Sequence, residues 1–325
     1  MNYAQGTKMK DFLFFNYDWV ANSTYLFKSF DASGYTCDFV NEQQLQSFIP
    51  TSEYRVVVAY LHEPWQIPII NRLMSEYFTK SFFVQHDDTD EEHVQHWFAR
   101  EPDLIMQREL TANSRNPYTC PTYPQHFPIP SIHRPNSEKQ LDVVFMGTPT
   151  NPGRVKFVEK LVQLSTGALK HLKWGLQYSK ERAKGRNPEL FIRAANSTRI
   201  GLNYPGNSKD QWRTWELASA GCAILMPESP LLSIRPEHQP FDEYVRFNAD
   251  LSDLEEKIVW LLAENRWEIW GQKAKQSYEL FHTPEKCFEH YHEYIMKHVP
   301  VKKRDIVPHS AEKYFEAWRM NPNNY

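Results

Sequence analysis

Arg213–Pro227 reads R-T-W-E-L-A-S-A-G-C-A-I-L-M-P, and its pattern changes character halfway along. The first half predicts a helix that opens with a cation and a carboxylate and closes at a glycine. Leu217, Ala218 and Ala220 supply a small apolar face, and Gly221 accepts the left-handed backbone that ends a helix. Cys222–Met226 is then an apolar run too short for a helix and well suited to an inner parallel strand. Arg213 and Glu216 stand three residues apart, so they share one face near the helix start. A helix N-terminus attracts anions, and an arginine there strengthens the attraction. A carboxylate one turn in accepts hydrogen bonds from vicinal hydroxyls. Phosphate and ribose together point to a nucleotide. The same spacing also describes an ordinary helical ion pair worth roughly 0.2–0.5 kcal/mol, and the pair alone does not separate the two.

Length and composition bound the answer. A chain of 325 residues predicts two domains, and an apolar fraction of 41% can fill two cores. Only 11 glycines occur, so glycine-rich phosphate loops are scarce. A formal charge of −3 argues against a general nucleic-acid binder, which carries a basic stripe. Cys37, Cys120, Cys222 and Cys287 form no C-x-x-C pair, which removes support for a zinc ribbon or a dithiol redox site. Cys37 and Cys222 fall in expected strands, as reduced thiols of a cytoplasmic protein would. Residues 1–10 lack the apolar core of a signal peptide, and no apolar run is long enough for a membrane span. The expectation is a soluble cytoplasmic protein.

Outward from the opening stretch, strands and helices alternate. Strands are expected at 11–17, 35–40, 55–61, 81–85 and 103–107, and helices at 22–32, 68–78 and 91–100. Six prolines between 116 and 135 forbid regular helix and favour a stiff extended connector. The alternation then restarts. Strands are expected at 141–146, 172–176, 199–203 and 222–226, with helices at 155–165, 188–196, 251–263, 267–281 and 285–298. Two successive α/β units imply two Rossmann-like, doubly wound domains facing a cleft. The expected division is 1–135, 136–300 and a linker with terminal helix at 301–325.

P-E-L-F-I-R-A-A-N-S-T-R-I-G-L-N at 188–203, R-T-W-E-L-A-S-A-G-C-A-I-L at 213–225 and F-H-T-P-E-K-C at 281–287 resemble the spore-maturation-type glycosyltransferases. V-V-F-M-G-T at 143–148, ahead of Arg154, resembles that family's first C-domain strand and loop. The resemblance covers about half the chain, 141–294, and implies the GT-B architecture with a metal-independent transfer from a nucleotide-diphosphate sugar and no further cofactor. It implies that Glu216 binds the donor ribose, that Arg213 lies near the diphosphate, and that Gly147 and Arg154 shape the phosphate pocket. Many retaining relatives carry a second glutamate seven residues before the ribose glutamate; Lys209 stands there, a weaker candidate for the phosphate. The terminal helix, with Tyr314, Phe315 and Trp318, is expected to cross back to the first domain.

Transfer accumulates negative charge on the leaving phosphate, which cations and N–H dipoles must meet; Arg213 is the catalytic candidate there. An inverting reaction also needs a base for the acceptor hydroxyl, and the acceptor would be a glycan or another hydroxyl compound. His86, Asp87 and Asp88 follow an expected strand, where open α/β sheets place their ligands. Polar residues after a strand also cap the next helix, and Asp88 or Asp90 could do so. Trp260, Trp267 and Trp270 are expected to pack the C-terminal helices, and His282 to mark a helix boundary. Two further readings stay open: a scaffold that binds a nucleotide sugar or glycan without turnover, and a transferase acting on DNA bases, against which the acidic charge weighs.

Overall fold

The computed structural model describes residues 8–17, 21–60, 64–87, 93–95, 97–108, 110–111, 113–125, 128–178, 188–206, 211–228, 243–299 and 310–311. Asp88, Lys209 and the expected terminal helix from 312 onward lie outside them. The described residues divide into two compact units, one from 1–128 with 284–314, the other from 129–283.

In the first unit, β1 (Met9–Phe15), β2 (Cys37–Val40), β3 (Glu53–Tyr60), β4 (Phe82–Asp87), β5 (Leu104–Gln107) and β6 (Thr122–Pro124) form one parallel sheet, ordered β2-β1-β3-β4-β5-β6. Alternation along β1 sorts its aromatic run onto two faces. Phe12 and Phe14 meet Phe27 and Phe30 of α1 (Ala21–Ala32). Leu13 and Phe15 join a second cluster with Ile70, Leu73 and Met74 of α3 (Gln66–Glu76). Between them α2 (Glu42–Leu45) is a single turn held by a capping box, Asn41 with Gln44.

Residues 93–95 and 97–100 are not helical, although the pattern predicts a helix over 91–100. Tertiary partners take the backbone groups a helix would have used. The Val94 amide donates to the Arg115 carbonyl, the Phe98 amide to the Tyr118 hydroxyl, and the Ala99 amide to Asn71 Oδ1. Within the proline-rich connector, β6 adds an edge strand, a position where prolines need not donate to the ladder.

The second unit repeats the plan. Its strands are β7 (Leu141–Gly147), β8 (Trp174–Tyr178), β9 (Thr198–Leu202), β10 (Ala223–Pro227) and β11 (Val245–Phe247), parallel and ordered β11-β10-β9-β7-β8. Around them lie α4 (Pro152–Thr166), α5 (Pro188–Asn196), α6 (Trp212–Ser219), α7 (Leu254–Leu262) and α8 (Arg266–Ser277). The opening stretch folds as its pattern predicts: α6 ends in Gly221 at φ +72°, and β10 is fully buried. A Cβ on Gly271 would fall 2.5 Å from the Gly221 carbonyl oxygen, so glycine lets α8 lie directly on the start of β10. After α8 the chain makes one π turn, Tyr278–His282, within the helix expected over 267–281.

The last described helix, α9 (Pro284–His298), belongs to the first unit. Phe288, Tyr291 and Ile295 recur at helical spacing and are buried. Phe288 and Tyr291 meet Phe30 of α1 edge-on. No helix among the described residues is long and apolar enough to cross a membrane.

Candidate functional site

In the second unit the chain leaves β7 toward β8 on one side and resumes with β9 on the other, so the strand order reverses between β7 and β9. Loops at the carboxyl ends of two such strands diverge and leave a crevice for a ligand. Gly147 ends β7, and the loop after it enters α4 at Asn151, Pro152, Gly153 and Arg154. Asn151 is the N-cap, its Oδ1 accepting from the Arg154 amide at 2.8 Å, and Pro152 occupies a first-turn position where no amide is needed. The helix thus starts three residues before the expected 155, which places Arg154 in its first turn.

Arg154 is buried, and its guanidinium spans the crevice. Nη1 donates to the Thr148 carbonyl at 3.2 Å, and Nη2 donates to Gln211 Oε1 at 3.0 Å. Gln211 is the N-cap residue of α6. Asn151 Nδ2 donates to the Gly206 carbonyl at 2.6 Å, tying the loop after β9 to the loop after β7. A Cβ on Gly206 would lie 2.9 Å from both Arg154 Nη1 and Gln211 Nε2, and one on Gly147 would lie 3.2 Å from Arg154 Nη2. Both glycines therefore let backbone approach the guanidinium closely. The N-termini of α4 and α6 meet here, and their dipoles add to the arginine's charge.

From the first turn of α6, Arg213 Nη1 donates to Glu216 Oε2 at 3.1 Å, and the carboxylate is almost fully buried. The Arg213 guanidinium also lies 3.6 Å from the centre of the Phe191 ring on α5, an attraction worth roughly 0.5–2 kcal/mol. Asn203 Nδ2 donates to Thr214 Oγ1, locking the end of β9 to the first turn of α6. Behind the helix, Trp215 stacks on His282 at 3.6 Å between ring centres, so His282 packs α6 from the π turn. The structure thus brings Gly147, Arg154, Arg213 and Glu216 into one unit around one pair of helix starts. Sequence reasoning missed Asn151, Gly206, Gln211 and Phe191. Asn151 had a readable signal, an N-cap residue directly before a proline; the others act through long-range contacts.

The remaining candidates sit in the first unit. β4 runs to Asp87, so His86 and Asp87 lie within the strand rather than after it. His86 pairs in register with Tyr60 and Met106 and is enclosed by Phe27, Tyr60 and Tyr291. Its Nδ1 is 3.1 Å from the Tyr291 hydroxyl. Burial, with a smaller contribution from Arg108, pushes the His86 pKa down to about 3. Asp87 is buried on the opposite face, where Gln85 Nε2 stands 3.4 Å from its Oδ2. Among the described residues no group of three or more His, Cys, Asp and Glu is placed to hold a metal ion.

The His86 shift sets a pH dependence. Its folded pKa lies below the unfolded value of 6.5, so between about pH 6.5 and 3 the unfolded chain binds the extra proton. Stability is complete above that window and declines as pH falls through it, by at most about 1.4 kcal/mol per pH unit. His292, lowered to about 4 by burial, acts in the same direction. Thermal melts between about pH 7 and pH 5 should show this decline, and His86→Phe should flatten it.

Residues 154–293 match the family model described as glycosyl transferase-like. No curated protein matches the chain. Solved structures share the fold at low identity. An alpha-glucosyltransferase in complex with UDP and a 13-mer DNA aligns over 90% of this chain and 100% of its own, at TM-score 0.53 and 11% identity. TarM aligns over 73% of this chain at TM-score 0.51 and 9% identity. Sucrose-phosphate synthase from Thermosynechococcus elongatus aligns over 89% of this chain and 98% of its own, at TM-score 0.50 and 8% identity. The chain spans little more than half of some matched structures, 54% of TarM and 57% of a chain in the GtfA/B complex. Two parallel-sheet α/β units give the chain the GT-B fold that these structures share, and its segment 154–293 matches the glycosyl transferase-like family.

Proposed function

We propose that the protein transfers a sugar from a nucleotide-diphosphate sugar to an acceptor hydroxyl, with the donor held by the second unit. The observation that carries this reading is the convergence of Arg154, Gln211, Gly206 and the α4 and α6 N-termini at the β7/β9 reversal. A diphosphate there meets one guanidinium directly and a second, Arg213, from the first turn of α6. Glu216 accepts the ribose hydroxyls, in exchange for part of its pairing with Arg213. As the bond between the anomeric carbon and the diphosphate oxygen breaks, these cations take up the charge on the leaving phosphate.

The acceptor oxygen forms the new bond to the anomeric carbon and gives its proton to a base. His86 and Asp87 of β4 are both buried in the first unit, so neither is assigned that proton. The UDP bound by the alpha-glucosyltransferase of similar fold supports a uridine diphosphate donor. The test is nucleotide release from UDP-, GDP-, ADP- and CMP-sugars, with thermal stabilisation by each free nucleotide measured alongside. Release from one donor, matched by stabilisation with its nucleotide, is expected. Stabilisation without release from any donor, even with a panel of saccharide acceptors, would favour a binding scaffold.

A further inference from the structure

At the opposite edge of the second sheet from β8, a cavity of 400 Å³ opens beside β11 and helices α7 and α8, lined by Tyr244, Arg246, Glu256, Lys257, Trp260 and Trp270. Its volume falls within the range of about 300–1,000 Å³ usual for small-ligand sites. β11 lies two strands beyond β9, so the cavity is distinct from the β7/β9 crevice. Trp260 is 37% exposed although it stands on a helix whose other face fills the core, and Trp270 is half-buried. Their ring centres are 6.3 Å apart at 59°, which makes an angled aromatic floor. Arg266 lies 5.1 Å from the centre of the Trp260 ring and Lys273 lies 4.6 Å from that of Trp270, which holds both indoles in place.

The rim carries both kinds of hydrogen-bonding group. Arg246 and Lys257 can only donate, and Glu256 can only accept. Lys257 stands 3.9 Å from Asp253, a distance that leaves its ammonium room to donate to a ligand. A ligand that suits this surface has an apolar face for the indoles and hydroxyls at its edge that both give and accept hydrogen bonds. A pyranose ring meets both demands. A nucleotide's phosphates would suit Arg246 and Lys257 but give Glu256 no donor, whereas a pyranose's hydroxyls pair with all three.

We propose that this cavity is a saccharide-binding site, separate from the donor pocket, that holds a sugar chain against Trp260 and Trp270. The proposal does not depend on turnover, because binding can be measured on the full chain with no donor present. Maltohexaose, cellohexaose and chitohexaose would each be titrated by tryptophan fluorescence and by saturation-transfer NMR, with UDP as the comparison. At least one saccharide is expected to bind, and Trp260→Ala to weaken it by about tenfold, the upper end of an aromatic contact's worth. Glu256→Ala, on an exposed side chain, is the second variant and should weaken the same saccharide. Both variants should leave nucleotide release unchanged. Absence of binding by all three saccharides, equal binding by the wild type and both variants, or Trp260-dependent binding of UDP instead would overturn the proposal.

Discussion

Glu216→Ala is expected to raise the apparent dissociation constant for the donor nucleotide by roughly ten- to a hundredfold, since each charge-assisted hydrogen bond to a ribose hydroxyl is worth about 1.5–3 kcal/mol. The geometry makes the residue costly to replace in a second way. Its carboxylate is almost fully buried and holds Arg213, which is itself 15% exposed and packed over Phe191. Removing the acid leaves a partly desolvated guanidinium with one fewer partner, an imbalance that costs about 3–5 kcal/mol when a pair is fully buried and less here. Glu216→Gln keeps the shape and an accepting oxygen but drops the charge, so its effect should be intermediate. Calorimetric binding of the nucleotide and a thermal melt on the same samples separate the two contributions. A lowered melting temperature with unchanged nucleotide affinity would make Glu216 a structural partner of Arg213 and nothing more.

Arg154→Ala should act on rate. A preorganised cation facing developing charge is worth about 10²–10³ in kcat, and Arg154 is fixed by two bonds from opposite sides of the crevice, to Thr148 and Gln211. Its loss removes the charge and also unties the start of α6 from the β7 loop. Arg154→Lys restores charge without the planar fork that serves two acceptors at once, so recovery should be partial. Steady-state kinetics with the preferred donor decide the matter. A kcat within about twofold of wild type for Arg154→Ala would remove it from the transition-state machinery.

Local pattern carried much of the second unit. The 188–196 helix, the helix closed by Gly221 and the buried strand after it follow from apolar spacing, a left-handed glycine and short apolar runs. The Arg213–Glu216 pair was legible for the same reason, because partners three residues apart on a helix meet whatever the rest of the fold does. Local pattern failed where backbone groups found distant partners. Val94, Phe98 and Ala99 lie where the pattern predicts a helix, yet their amides bond to Arg115, Tyr118 and Asn71.

Sequence by itself therefore determined the alternation of strands and helices, the restart that makes two α/β units, and the charged pair at the start of α6. Each depends on residues within one or two turns of one another, where covalent spacing dictates contact. Only the tertiary structure decided the order of the strands, and with it the β7/β9 reversal that brings Arg154 to Gln211 across 57 positions. It also decided that His86 is enclosed by aromatic rings and that α9 belongs with α1. Those outcomes rest on which apolar faces bury one another, and burial is a property of the assembled chain that no local spacing encodes.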